Sequence, residues 1–463
     1  MYFENNKAKG LKLAYIGGGS RGWAWTLMSD LALAEDMCGD VYLYDIDFDA
    51  AKNNEIIGNR IKDLPDCKSA WNYKAVPTIG EALTGADFVV ISILPGTFDE
   101  MHSDVHTPEE YGIYQSVGDT SGPGGIIRAL RTIPMMEEIA LAIQEHAPNA
   151  WVINYTNPMT VCIRTLYRVF PEIKAYGCCH EVFGTQNVLK IALKEICGIE
   201  NVARQEIKVN VVGVNHFTWF TKAQYRNIDL FPVYAQFAER YAENGYIKQV
   251  DLNWMNRSFF CKEQVKLDLF RRFGYIAAAG DRHLPEFCPQ HWYLESPEAV
   301  ERWGFALTSV DYRKRELQVR LDRSKRLLSG EEVFSINKTG EEGTLQMRAL
   351  LGLSEMVTNV NIPNVGQIPN LPLGAVVETN AAFRSDSVTP LFAGEIPTEI
   401  APLILPIANE QELLVQAGLE RDLEKAFQAF VHDPLVPLNT KTARELFDRM
   451  VDNTKAYLGE YFA

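Results

Sequence analysis

From residue 11 to residue 196, short apolar runs take turns with stretches whose apolar positions recur at helical spacing. The runs read as buried strands and the periodic stretches as helices packed against them. Strands are predicted over 11–16, 40–44, 88–93, 151–155 and 173–177, with helices after Gly22, over 126–144 and over 182–196. Such alternation is the pattern of a parallel sheet covered by helices. Beyond Gly198 the pattern changes. Residues 207–214 read as one more strand, and long helical stretches follow, including 311–328 and 410–431. The chain is therefore expected to divide into residues 1–198 and an α+β region, 199–463.

A chain of 463 residues exceeds one typical core, and its 47% apolar and 23% charged residues suit a globular protein. The net charge of −15 argues against nucleic acid or anionic membranes as partners. It leaves room for an anionic sugar, which one or two placed arginines would hold. Residues 1–10 are polar, and no run approaches the roughly 18 apolar residues that span a bilayer. The eight cysteines follow no disulfide spacing. A reduced, cytoplasmic enzyme is expected.

The first chemistry stands at the end of the first strand, where Gly17, Gly19 and Gly22 form G-x-G-x-x-G before a helix. Gly17 would allow the tight turn, Gly19 the approach of a pyrophosphate, and Gly22 close packing of helix on strand. Ser20 and Arg21 complete the loop. Asp45 ends the second strand 23 residues after Gly22, placed to accept from the adenine ribose hydroxyls. It favours NAD over NADP. The predicted fold is α/β, an N-terminal Rossmann-like sheet with a C-terminal α+β domain, like lactate and malate dehydrogenases.

A second constellation lies at later strand ends: Asn154 to Met159 with Asn157-Pro158, then Cys179-His180-Glu181-Val182, then Asn215-His216-Phe217. Asn-Pro alone marks a turn. A Cys179 thiolate and a His216 imidazole suit a borderline divalent ion, and two protein ligands would leave positions open for substrate. The plain alternative is that the cysteines are small buried hydrophobes.

At these residues the chain resembles glycoside hydrolase family 4, the NAD-dependent glycosidases. The resemblance also takes in Gly118-Asp119-Thr120-Ser121-Gly122-Pro123-Gly124-Gly125, Arg128-Ala129-Leu130-Arg131-Thr132, Val360 to Asn364 and Val376-Val377-Glu378. Cys-His-Glu-Val is similar to the α-galacturonidase subgroup, which implies release of galacturonic acid from short α-linked galacturonides. The mechanism so implied starts with NAD taking hydride from sugar C3, which acidifies the C2 hydrogen. A divalent metal, usually Mn²⁺ with Co²⁺ or Ni²⁺ as alternatives, would bridge the C2 and C3 oxygens. Base removal of the C2 proton expels the aglycone, water adds, and the hydride returns with no net redox.

The resemblance carries Cys179 and His216 over as metal ligands, and Asn157 and Glu181 as substrate contacts. It makes His180 a candidate acid and Asp119 a group that tunes the base. Asp281 is the expected base, with Tyr275 and His283 in reserve. Arg282, Arg128 and Arg131 are candidates to pair with a uronate carboxylate, whereas the arginine-rich stretch 313–326 reads as a solvated helix face. A homodimer or homotetramer is expected. The rival readings are an α-glucosidase or α-galactosidase of the same family, and a lactate/malate-type dehydrogenase, which would need no metal pair.

Overall fold

The structure, a computed structural model, describes residues 1–247 and 259–463. Its first strands are β1 (Tyr2–Glu4), β2 (Lys7–Ile16), β3 (Met37–Tyr44), β4 (Trp71–Ala75), β5 (Phe88–Ile91), β6 (Trp151–Asn154) and β7 (Lys174–Gly177). They lie in the order β4-β3-β2-β5-β6-β7, all parallel, with β1 antiparallel on β2. That is the doubly wound, Rossmann-like order, and the chain reverses direction of growth between β2 and β5. All four side chains of β5 are buried, each contributing about 1.5–3 kcal/mol when fully removed from water. The strand stops at Ile91, short of the predicted 93, because Ile93 gives its N–H to the Thr156 hydroxyl at 3.0 Å.

After residue 198, β8 (Ile207–Val214), β9 (Phe217–Tyr225), β10 (Ile228–Asp229) and β11 (Ile276–Ala277) make an antiparallel second sheet. Then β12 (Met356–Pro363), β13 (Val376–Arg384) and β14 (Ser387–Pro390) return to the first sheet, where Asn361 on β12 pairs antiparallel with Gly177 on β7. The first sheet thus draws strands from both sides of residue 198. Eight of the described strands were not predicted, β12 and β4 among them. In β12, buried Asn359 and Asn361 interrupt the apolar pattern, and in β4 only alternate residues are buried.

The helix predicted over 311–328 is Val310–Ser329. The stretch 410–431 is two helices, Ala401–Glu420 and Leu423–His432. Arg421 breaks it at φ 57, and the Asp422 carboxylate restarts it by accepting from Glu424 and Lys425 N–H. No described helix is long and apolar enough to cross a membrane.

Candidate active site

The glycine loop follows β2 at the carboxyl edge of the parallel sheet. Gly17 and Gly18 N–H donate to the Tyr44 carbonyl at 2.9 Å, tying the loop to the end of β3. Gly17 holds φ 91, and a β-carbon there would fall on the Ser92 carbonyl. Asp45 accepts from Gly19 N–H at 2.8 Å and from Asp47 N–H at 2.9 Å. Burial pushes its carboxyl up, yet each oxygen keeps a lone pair for a ribose hydroxyl. Beneath the loop, the Asn54 amide donates to the carbonyls of Gly18 and Ser20 and accepts from the Trp25 indole. Gly22 was expected to ease packing of helix on strand. What its missing side chain makes room for is the Arg320 guanidinium.

A buried polar cluster forms where the 118–122 loop meets the second sheet. Asn215 and His216 make the two-residue turn between β8 and β9, closing on the pair Val214–Phe217. His216 sits there at φ 64, a conformation that costs an L-residue about 1–3 kcal/mol and survives only where the surroundings impose it. Its Nδ1 lies 2.9 Å from the Thr120 hydroxyl, which donates its proton to Asp119 Oδ1 at 2.7 Å. The imidazole must therefore carry its proton on Nδ1, leaving the Nε2 lone pair free. His283 packs against this ring, centroids 3.8 Å apart. Ligand atoms of Asp119, His216 and His283 all lie within 4.8 Å of one another.

Charge matches that geometry. Burial opposes ionisation of Asp119, but the Arg128 guanidinium, with His216 and His283, more than offsets it and holds the carboxyl well below its usual range. Burial and the neighbouring His283 bring His216 down to about 3, and burial also lowers His283. One carboxylate and two neutral imidazoles suit a divalent cation of borderline softness. His283 Nδ1 and Asn157 Oδ1 are both buried without a partner, as acceptors awaiting a ligand would be. Asn157 is held by Arg128, whose Nε donates to its carbonyl at 3.1 Å.

Cys179, predicted to share the ion with His216, is not one of the three. Asn359 donates to its carbonyl at 3.1 Å and to Glu378 at 2.6 Å, and Asn215 donates to the other Glu378 oxygen at 3.1 Å. Burial, then Glu378 and Glu181, raise the Cys179 thiol well above its ordinary value. Glu181, first residue of the helix Glu181–Cys197, stands between the groups: it accepts from Gly280 N–H at 2.8 Å and lies 3.8 Å from His283 Nε2. Burial works against its charge, but His283, His216 and His180 bring it to about 2. Half-exposed His180 has Nδ1 3.0 Å from Glu341 Oε1, and that hydrogen bond raises it to about 9.

The expected base, Asp281, lies elsewhere. It is fully buried, and its two oxygens accept from Val265 and Lys266 N–H at 3.0 and 3.1 Å. Those are orphan donors of the helix Gln264–Phe273, so the carboxylate caps a helix. Tyr275 packs on the apolar core. Arg131 forms a fully buried ion pair with Asp104. Arg282 donates to the carbonyls of Ser116 and Ala306 and to the Thr308 hydroxyl. Among the three arginines expected to pair with substrate, Arg131 and Arg282 are therefore committed to internal partners, while Arg128 borders the cluster.

The Family 4 glycosyl hydrolase pattern matches residues 12–195, and its C-terminal domain matches residues 211–436. The chain belongs to family 4 of the glycosyl hydrolases. An alpha-galacturonidase of Thermoanaerobacterium saccharolyticum is 60% identical over 99% of this chain and 98% of its own. A crystal structure from Bacillus subtilis superposes with a TM-score of 0.90 at 50% identity, covering 96% of this chain and 100% of that one. A 6-phospho-alpha-glucosidase from gut microorganisms, solved with NAD and Mn²⁺, shares the fold at 21% identity and TM-score 0.79, covering 97% and 99%.

In this family 4 hydrolase several site groups were missed in the sequence. Thr120 and Glu378 stand in stretches already singled out, Gly118 to Gly125 and Val376 to Glu378, and adjacency to Asp119 would have pointed to the first. Asn359 hides in an unpredicted strand. Glu341 and Arg320 had no local signal, because each meets its partner only through the fold.

Proposed function

We propose that the chain releases galacturonic acid from short α-linked galacturonides, using NAD and a divalent cation such as Mn²⁺. The observation that carries this reading is the Asp119–His216–His283 cluster, assembled beside Cys179-His180-Glu181-Val182 in a chain 60% identical to an alpha-galacturonidase. Bound NAD would supply a hydride acceptor and donor, and a bound cation a Lewis acid. Gly17, Gly19, Ser20, Arg21, Gly22 and Asp45 would hold the dinucleotide, with residues 1–198 as its domain and 199–463 closing the site. His216 Nε2 and the Asp119 carboxylate would hold the cation, and Cys179 would join them once a cation favoured its thiolate.

His283 replaces Asp281 as the proton acceptor in this reading. With the cation left to Asp119 and His216, it is neutral, half-buried and within reach of the ionised Asp119, which stabilises the imidazolium that forms. Half-exposed His180, kept cationic by Glu341, either draws in the uronate carboxylate or gives its proton to the departing oxygen. Asn157 and Glu181 fix the sugar. The test is hydrolysis of digalacturonate compared with neutral and 6-phosphorylated α-glycosides, each with and without NAD and Mn²⁺. Turnover of digalacturonate alone, dependent on both additions, is expected. Equal turnover of a neutral glycoside, or full activity without either addition, overturns the proposal.

A further inference from the structure

Helix Val310–Ser329 reads in the sequence as a solvated face, but one end of it is seated on the dinucleotide loop. Arg323 lies over the Trp25 ring at 5.2 Å, and Arg60 on the Rossmann-like side donates to the Leu327 carbonyl. Trp25 in turn holds Asn54, which holds Gly18 and Ser20. The helix is therefore anchored through named contacts to the loop itself.

At its centre, half-buried Arg320 gives Nε and Nη2 to Glu316 Oε1 on the preceding turn, which fixes the plane of the guanidinium. Nη1 is left to point at Gly22, where any β-carbon would fall on it. Gly22 is the N-cap of the helix Trp23–Leu33, and no side chain caps that end. Uncapped N–H groups and a guanidinium thus converge on the spot where a G-x-G-x-x-G loop holds a diphosphate.

We propose that Arg320 is a diphosphate-binding residue, reaching from the second half of the chain onto the dinucleotide bound by the first. The inference rests on the proposed use of NAD and names a contact outside the fingerprint. A guanidinium donating to a phosphate oxygen is a charge-assisted bond, and Glu316 keeps it oriented.

The test compares binding of NAD, ADP-ribose and adenosine to the full chain and to Arg320→Met and Arg320→Lys, by calorimetry and ligand-observed NMR. Wild type should bind NAD and ADP-ribose. Arg320→Met should weaken both about 10-fold, flatten their salt dependence and leave adenosine unchanged, and Arg320→Lys should restore part of the loss. If wild type binds NAD and Arg320→Met binds it equally well, the inference fails while the cofactor reading stands. Equal weakening of adenosine would make Arg320 a packing residue and also overturns it. Failure of wild type to bind either NAD or ADP-ribose sinks the cofactor reading itself. Should Arg320→Met melt early, Glu316→Gln, which loosens the guanidinium without removing it, must still weaken ADP-ribose over adenosine.

Discussion

The dinucleotide loop and the buried histidine cluster are built in opposite ways. The loop is local: Gly17 to Gly22 and Asp45 follow two neighbouring strands, and backbone hydrogen bonds to Tyr44 set its shape. The cluster is assembled from afar: Asp119 before a helix, Glu181 after β7, His216 in a hairpin turn and His283 after β11. Local chemistry leaves a spacing in the sequence, whereas assembled chemistry leaves only residue types. The two also hold their parts differently. Glycine allows the loop its positive φ at little cost, while His216 occupies φ 64 against its own preference and relies on the surroundings to keep it there.

The sharpest way to break that comparison is to remove one assembled group. His216→Ala should lower kcat/KM by at least about 1,000-fold, or ~4 kcal/mol, and weaken Mn²⁺ binding followed by the electron paramagnetic resonance of the free ion. Unchanged Mn²⁺ affinity would take His216 out of the cation site. On the local side, Gly19→Ala puts a β-carbon 2.7 Å from Ala50 Cβ and 2.9 Å from Asp45 Oδ2. NAD affinity should fall about 10–100-fold while Mn²⁺ binding holds, because the loop or its neighbours must shift where a phosphate approaches. Loss of both ligands together would mean that the two regions are one cooperative unit.

Asp281→Asn separates a helix cap from a base. Stability in urea should fall by about 1–2 kcal/mol, with kcat/KM of the folded enzyme within about tenfold of wild type. A collapse of kcat at unchanged stability would return Asp281 to the chemistry and displace His283.

The smallest effect is a tilt of stability with pH in metal-free protein. His216, lowered from 6.5 to about 3, binds fewer protons folded than unfolded, so its contribution is present above pH 6.5 and is lost as pH falls toward 3. His180 has the opposite sign: raised to about 9 by Glu341, it contributes below 6.5 and the contribution is lost as pH rises through 9. Urea midpoints should therefore decline on both sides, and Glu341→Gln should flatten the alkaline side alone. An alkaline decline untouched by that substitution would remove the His180–Glu341 pair as its cause.

Legibility follows the same divide. The five strands that the apolar runs predicted all stand in the parallel sheet, where a strand buried on both faces, as β5 is, reads as a continuous hydrophobic run. β12 escaped because the side chains that hold Cys179 and Glu378 are polar and buried. A strand that lines a site loses the pattern by which strands are recognised. His216 was legible through its Asn-His-Phe context, and Asp119 through the glycine-rich stretch around it. Asp281 and His283 are two residues apart in one motif, and spacing could not say which faced the cleft. The backbone donors of Val265 and Lys266 decide that, and they come from another segment. Cys179 was read by chemistry as a ligand, while the Asn359 amide that holds its carbonyl comes from a strand far along the chain.

The measurement closest to the centre is digalacturonate hydrolysis in heavy water, with the released galacturonate examined at C2 by NMR. If His283 and its neighbours remove the C2 proton, deuterium appears there in the product. Product carrying only protium at C2 would mean that this proton never leaves, and the cluster would have no such step to perform.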